Sequence, residues 1–173
     1  SVTGGGTAVN VSVTGGDTLT ITPIADASGV DTLTLSLTDG TDTVSQQVVI
    51  TITAVNDPPY INPALSNETR EEDTAAWTVI LTSSENDTEA DPLSWSVTGG
   101  GTAVNVSVSG GDTLTITPIA NASGVDTLTL SLTDGTDTVS QQVVITITAV
   151  NDPPYISPAI ANDTREEDTS AWT

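Results

Sequence analysis

The chain contains no cysteine, histidine, lysine, methionine or phenylalanine, and only two arginines stand against 23 acidic residues, for a formal charge of −21. Each absence removes a class of chemistry. Without cysteine there are neither disulfides nor thiolate metal sites, so a small domain needs another staple; the compartment stays open, since many extracellular bacterial and archaeal proteins also lack cysteine. With histidine, cysteine and lysine all missing, acid–base and nucleophilic roles fall to carboxylates and hydroxyls alone, which argues against an enzyme. Nothing here neutralises phosphate, so no nucleic-acid partner is expected and an anionic membrane is a poor one. Divalent cations are the natural counterions. High charge with few aromatics also occurs in disordered chains, but 36% of residues are hydrophobic. Val, Ile and Leu fall in alternating runs, which argues for folded β-structure.

What is there is repetition. Residues 1–78 return as 96–173 at a spacing of 95, with 71 of 78 positions identical. A period that long exceeds the roughly 20 to 50 residues of solenoids and propellers, so each copy is long enough to own a core. The spacing divides the chain into 1–57, the C-terminal part of one repeat; 58–152, a complete repeat; and 153–173, the N-terminal part of the next. The stretch missing from two full periods corresponds to Val79–Trp95. We expect a slice of a longer surface protein; the alternative is an assembly unit whose C-terminal tail completes the truncated first repeat of a neighbouring copy. No signal peptide or membrane span occurs in the sequence, so no direct membrane insertion is expected of this segment.

Within one repeat the alternation marks inward positions: Trp77, Val79 and Leu81; Leu93, Trp95 and Val97; Val104, Val106 and Val108; Leu114 and Ile116; Leu128, Leu130 and Leu132; Val143, Ile145 and Ile147. With the acidic segment before Trp77 these make about seven strands. Gly99 to Gly101, Gly110, Gly111, Gly124 and Gly135 punctuate them. Near Ser140 and Gln141 the alternation slips by one, and a β-bulge at the start of the last strand is expected there. No helical periodicity occurs. The fold class is all-β: tandem Greek-key sandwiches of immunoglobulin-like shape. Outward positions are mostly Thr and Ser, which suit a strand and could also form a regular binding face or carry O-glycans.

Val55-Asn56-Asp57-Pro58-Pro59 and its copy Val150-Asn151-Asp152-Pro153-Pro154 follow the last strand of each repeat. Paired prolines hold an extended backbone without ladder donors, so the linker is short and stiff. The turns at the near end of the next repeat are acidic. They are expected to bring Asp87, Glu89, Asp91 and Asp134 close to Asp57 and the amide oxygen of Asn56. Carboxylates clustered in that way repel unless a cation joins them. Calcium accepts six to eight oxygen ligands in loose geometry, magnesium wants a tighter octahedron, and zinc or copper would want His or Cys. Calcium (Ca2+) is the best fit.

Leu132-Thr133-Asp134-Gly135, followed by a long final strand and Val150-Asn151-Asp152-Pro153-Pro154, resembles the Ala-x-Asp-x-Gly and Asp-x-Asn-Asp-x-x-Pro signatures of cadherin repeats. The match is closer to the prokaryotic cadherin-like and immunoglobulin-like tandem repeats of large surface adhesins. Those share the opening Glu72-Asp73-Thr74, an acidic Asp-x-(Asp/Glu)-x-Asp-Pro-Leu loop over Asp87 to Leu93, a Thr-Pro-x-x-Asn-x-x-Gly turn and a terminal Val-Asn-Asp. The resemblance spans the whole repeat. It implies that Asn56, Asp57, Asp87, Glu89, Asp91 and Asp134 line the first junction, and that Glu71, Glu72 or Asp73 joins Asn151 and Asp152 at the second. Two departures, a linker with only Asn-Asp and Ala120-Asn121-Ala122-Ser123 in place of Asp-Arg-Glu, imply fewer ions per junction than in cadherins.

Six Asn-x-Ser/Thr sequons occur, at Asn10, Asn67, Asn86, Asn105, Asn121 and Asn162. Asn10 and Asn105 sit between inward valines and should face solvent, whereas a sugar on Asn86 would crowd the acidic loop. Trp77, Trp95 and Trp172 fall in phase with core positions, and Tyr60 and Tyr155 should cover the linker joint. The expected function is a structural segment of an extracellular filament or giant surface adhesin, stiffened by calcium and associating with other copies of itself head to tail or laterally. The alternative is a glycan-, ice- or cell-binding module that uses the threonine-rich faces, with a cell-surface glycan as partner.

Overall fold

The structure, a computed structural model, describes residues 1–167. These residues form strands and no helix. The first unit holds β1 (Val2–Thr3), β2 (Val9–Thr14), β3 (Thr18–Pro23), β4 (Gly29–Thr38) and β5 (Thr43–Ile52). The second holds β6 (Tyr60–Ile61), β7 (Glu68–Glu71), β8 (Trp77–Ile80), β9 (Glu85–Asn86), β10 (Ser94–Thr98), β11 (Val104–Ser109), β12 (Thr113–Pro118), β13 (Gly124–Thr133) and β14 (Thr138–Thr148). Each strand pairing among the described residues lies within one unit.

In the second unit a four-stranded sheet, β10-β13-β14-β7, faces a three-stranded sheet, β11-β12-β8. All pairs are antiparallel except β7, which runs parallel to β14. The sequence dictates this layering because each strand alternates apolar with Thr or Ser, so one face of each sheet must be covered. Leu128, Leu130 and Leu132 from β13, Val143, Ile145 and Ile147 from β14, and Leu114 and Ile116 from β12 meet in one core with Leu81, Trp95 and Val104. Each such burial contributes about 1.5–3 kcal/mol before chain entropy is counted. Trp95 fills the end of this core while its indole N–H donates to Glu85 Oε2 at 2.7 Å, which meets the requirement of a buried ring nitrogen. Trp172 lies outside the described residues.

The expected bulge is absent. β13 and β14 pair in one unbroken register from Gly124↔Ile147 to Thr133↔Thr138. Gln141 keeps the inward phase because both ends of its amide find partners. Its Nε2 donates to Leu65 O at 2.6 Å, and its Oε1 accepts from Leu65 N at 3.0 Å. An inward amide satisfied by backbone needs no register slip. Beyond the expected strands, β6 and β9 form a small pair, Tyr60↔Asn86 and Ile61↔Glu85, where the linker meets the second unit.

The three-glycine loop before β11 is pinned by a buried carboxylate. Asp126 Oδ2 accepts from Ala103 N at 2.8 Å and Val104 N at 2.9 Å, and Asp31 Oδ2 does the same for Ala8 N and Val9 N in the first unit. Gly99 must be glycine: its φ is +101°, and a Cβ there would collide with Thr127 O. Burial opposes ionisation of Asp126, but the hydrogen bonds it accepts from Ala103, Val104 and Thr102 together outweigh burial and hold its carboxyl below the usual carboxylate range.

Candidate functional site

The linker enters the second unit between two acidic turns, as the spacing implies. The amide nitrogen of Asn56 donates to Asp134 Oδ2 at 3.1 Å and to Asp137 Oδ2 at 3.0 Å, and the backbone N–H of Asp57 donates to Glu89 Oε2 at 3.1 Å. Three contacts thus cross between the end of one repeat and the start of the next. Asn56 faces the carboxylates with its nitrogen rather than its oxygen, so the amide stands between two negative groups as a donor.

Each turn is built by its own aspartate. Asp134 Oδ1 accepts from Thr136 N at 2.7 Å and Asp137 N at 2.6 Å, and Thr133 Oγ1 donates to Asp137 O at 2.7 Å, closing the loop. The Asp137 N–H, helped by Thr136 N–H and the Asn56 amide against a desolvation that opposes them, holds the Asp134 carboxyl below the usual carboxylate range. Asp39, the counterpart in the first unit, is held down in the same way by Asp42 N–H and Thr41 N–H. Ionisation is therefore a property of the turn, present with or without a linker against it. In the other turn Asp87 Oδ1 accepts from Glu89 N at 2.9 Å and Asp91 N at 3.0 Å. Its second oxygen, Oδ2, is buried without a hydrogen-bond partner among the described residues.

An open cleft of about 760 Å³ lies between the units, lined by Asp26 and Ser28 of the first, Asn56 and Asp57 of the linker, and Glu89 and Asp91 of the second. Asp91 reaches the cleft but makes no contact with the linker through its carboxylate among the hydrogen bonds described. Among the described residues no group of three or more carboxylates is arranged to hold a metal ion. At the exit end of the second unit two further acidic residues hold the backbone around the start of the next linker. There Glu72, only 6% exposed, accepts the N–H of Val150 at 2.8 Å through Oε1, and Asp73 Oδ1 accepts from Asn121 N at 3.4 Å. Val55 and Asp26 are the counterparts of Val150 and Asn121 in the first unit. Glu71 is exposed and contributes its backbone oxygen to Thr74 Oγ1 at 2.9 Å. Asn151 and Asp152 are exposed, and Asn151 Nδ2 donates to Asp152 O at 3.2 Å, as Asn56 Nδ2 does to Asp57 O at 3.3 Å.

Sequence reasoning missed Asp137, although the recurrence of Asp-Gly-Thr-Asp in both copies signalled a turn with two carboxylates. It also missed Asp31 and Asp126, whose positions inside otherwise apolar strands were the available clue. Of the sequons, Asn10 and Asn105 are exposed on β2 and β11, as expected, and Asn121 and Asn162 are exposed as well. Asn86 Nδ2, the atom a glycan would take, is committed to Asn62 O at 2.8 Å. Asn67 Oδ1 accepts from Val144 N at 2.8 Å and ties the β7 segment to β14.

Two facing sheets in Greek-key order, a parallel terminal strand and an extended linker into a second copy define a tandem immunoglobulin-like repeat. The chain belongs to the bacterial Ig domain family, whose model matches residues 56–148. No curated protein matches it. Among solved structures it is similar to a protocadherin GammaB4 extracellular domain (15% identity, 92% of this chain and 30% of that one, TM-score 0.46). It is also similar to extracellular domains 3–5 of Drosophila OTK (16%, 80% and 46%, TM-score 0.43) and to an endo-fucoidan hydrolase of glycoside hydrolase family 107 (20%, 91% and 25%, TM-score 0.42). The chain spans about a quarter of the length of the fucoidan hydrolases it matches.

Proposed function

We propose that this chain is a structural segment of an extracellular surface filament or adhesin, and that its inter-repeat junctions take up calcium and thereby stiffen the array. The observation that carries this reading is the junction: Asn56 and Asp57 are clasped by Asp134, Asp137 and Glu89, and the turn that bears Glu89 also carries an Asp87 oxygen that is buried and unpartnered. A buried carboxylate oxygen without a donor is costly, and a divalent cation is the partner that relieves it. The donors are all oxygen, which suits calcium and not zinc or copper.

Calcium would be held by Asp134, Asp137, Glu89 and the free oxygen of Asp87. A half-turn of the Asn56 amide would bring its oxygen to the ion in place of the nitrogen. Within residues 1–167 these carboxylates do not converge on one point, so uptake of the ion would draw the linker and the two turns together. The ion supplies positive charge that neutralises the cluster. It binds only where linker and turns are aligned, so it favours the extended array by mass action. Membership of the bacterial Ig family and the absence of histidine, cysteine and lysine support a non-enzymatic role.

The test is small-angle scattering of the chain, and of an array with three full repeats, with calcium and with chelator. The expected result is a larger maximum dimension with calcium, most marked in the longer array. An unchanged dimension, with no calcium uptake by calorimetry, rejects the calcium junction.

A further inference from the structure

The two facing sheets of the second unit end in β7 and β10 on one side and in β8 and β11 on the other. Outer strands are kept from pairing with other chains by charge, proline, brevity or a cover. β7 is charged at Glu68, Arg70 and Glu71, and β8 and β10 are four and five residues long. β11 has six residues, with alternating valines and neither charge nor proline. Its whole sheet is neutral: β8, β11 and β12 hold no ionisable side chain, in a chain with 23 acidic residues. The outward face presents hydroxyls instead, with Ser107 opposite Thr115 and Thr115 opposite Thr78.

What β11 does carry is Asn105-Val106-Ser107, an acceptor sequence for N-linked sugar. Val104 and Val106 pack on the core, so the pleat sends Asn105 and Ser107 to the outside. Asn105 is exposed, and its amide makes no hydrogen bond among the described residues. The same is true of Asn10 in β2, where Asn10-Val11-Ser12 repeats the sequon. The other sequons differ. Asn86 Nδ2 is committed to Asn62 O, Asn67 is held against β14 by the N–H of Val144, and Asn162 is the copy of Asn67. Asn121 has Asp26 as its counterpart, so a sugar there does not recur from repeat to repeat.

We propose that Asn105 and Asn10 carry N-linked oligosaccharides, one in each repeat, which cover the uncharged outer strand and keep neighbouring chains from pairing with it. The donor is an oligosaccharide activated as a lipid-linked phosphate or pyrophosphate, used by a transferase of the producing cell. The bond from its C1 to the phosphate oxygen breaks and the electron pair leaves with the phosphate. Asparagine Nδ2 forms the new bond to C1 and gives up one proton. This inference shares with the reading above only the export of the chain, and calcium plays no part in it.

The test is glycopeptide mass spectrometry of the protein recovered from the cells that make it. Cleavage before aspartate puts Asn105 and Asn121 in separate peptides. The expected result is a sugar mass on most copies of the Asn10 and Asn105 peptides and none on the peptide that ends at Asn86. Asn105→Gln and Ser107→Ala should each abolish the mass on the Asn105 peptide with the circular dichroism unchanged, since both residues are exposed. The double variant Asn10→Gln with Asn105→Gln should self-associate at least severalfold more tightly in sedimentation with chelator present. A bare Asn105 in exported protein overturns the proposal and leaves the calcium junction standing, whereas protein confined to the cell interior overturns both. Unchanged association of the sugar-free variant overturns the shielding role and upholds the modification site.

Discussion

Leu132 and Leu37 occupy the same place in the same ten-residue strand sequence, yet Leu132 is fully buried and Leu37 is 72% exposed. Ile116 and Ile21 differ in the same direction, at 1% and 37%. Other pairs do not differ: Leu128 and Leu33, and Val104 and Val9, are fully buried in both units. What is buried twice is what the two long hairpins hide between themselves. What is buried once is what β7, β8 and β10 cover, strands that among the described residues are complete in the second unit. Identical residues thus carry different weight according to the partners they meet.

The largest test of that contrast is a pair of truncations. Leu132→Ala should cost about 3 kcal/mol, from lost burial and a residual cavity, whereas Leu37→Ala should cost under about 0.5 kcal/mol. Hydrogen exchange on peptides from each unit reads the two separately, and equal losses would break the comparison. Next comes Asp126→Ala, which strips the partner from the buried N–H groups of Ala103 and Val104 and should cost about 2 kcal/mol. Denaturant unfolding followed by Trp95 fluorescence measures it, and a loss within error would remove the carboxylate from its structural role.

The same carboxylates predict the response to acid. Asp126, Asp31, Asp134 and Asp39 are all held below the usual value of 3.8 by backbone N–H groups. A lowered native value means that their stabilisation is complete above the unfolded value and is lost as pH falls through the lowered native one. Both units should therefore hold their stability down to about pH 4 and lose it below. An Asp126→Asn variant should flatten that loss in the second unit only; an unchanged acid slope there would contradict the assignment. The smallest effect concerns the inward glutamine: Gln141→Ala should lower the stability of the second unit by about 1 kcal/mol, while Gln46→Ala should leave the dilute monomer unchanged. Thermal melts of both variants decide this, and an equal effect would mean that the Leu65 clasp is idle.

Much of this architecture could be read residue by residue. The positions of β8 and of β10 to β14, the inward sets and the outward Asn105 follow from period-two alternation, a local property of the chain. The convergence of Asn56 and Asp57 with Glu89 and Asp134 was also legible, because a short Pro-Pro linker leaves few places for the next acidic turns. Gln141 was misread as a bulge because its partner, the backbone of Leu65, lies 76 residues away. The buried Asp126 was overlooked for the same reason: a carboxylate inside an apolar strand makes sense only beside the loop it caps.

By itself the sequence determined the strands, the repeat, the acidic turns and the oxygen-only chemistry, since these depend on residue type and spacing along one chain. Only the tertiary structure decided which side chains meet across the two sheets, that the Asn56 amide turns its nitrogen toward two carboxylates, and that Gln141 folds inward onto the backbone of Leu65. Burial and hydrogen bonding are contacts between segments far apart in sequence, and identical segments acquire different ones when their neighbours differ.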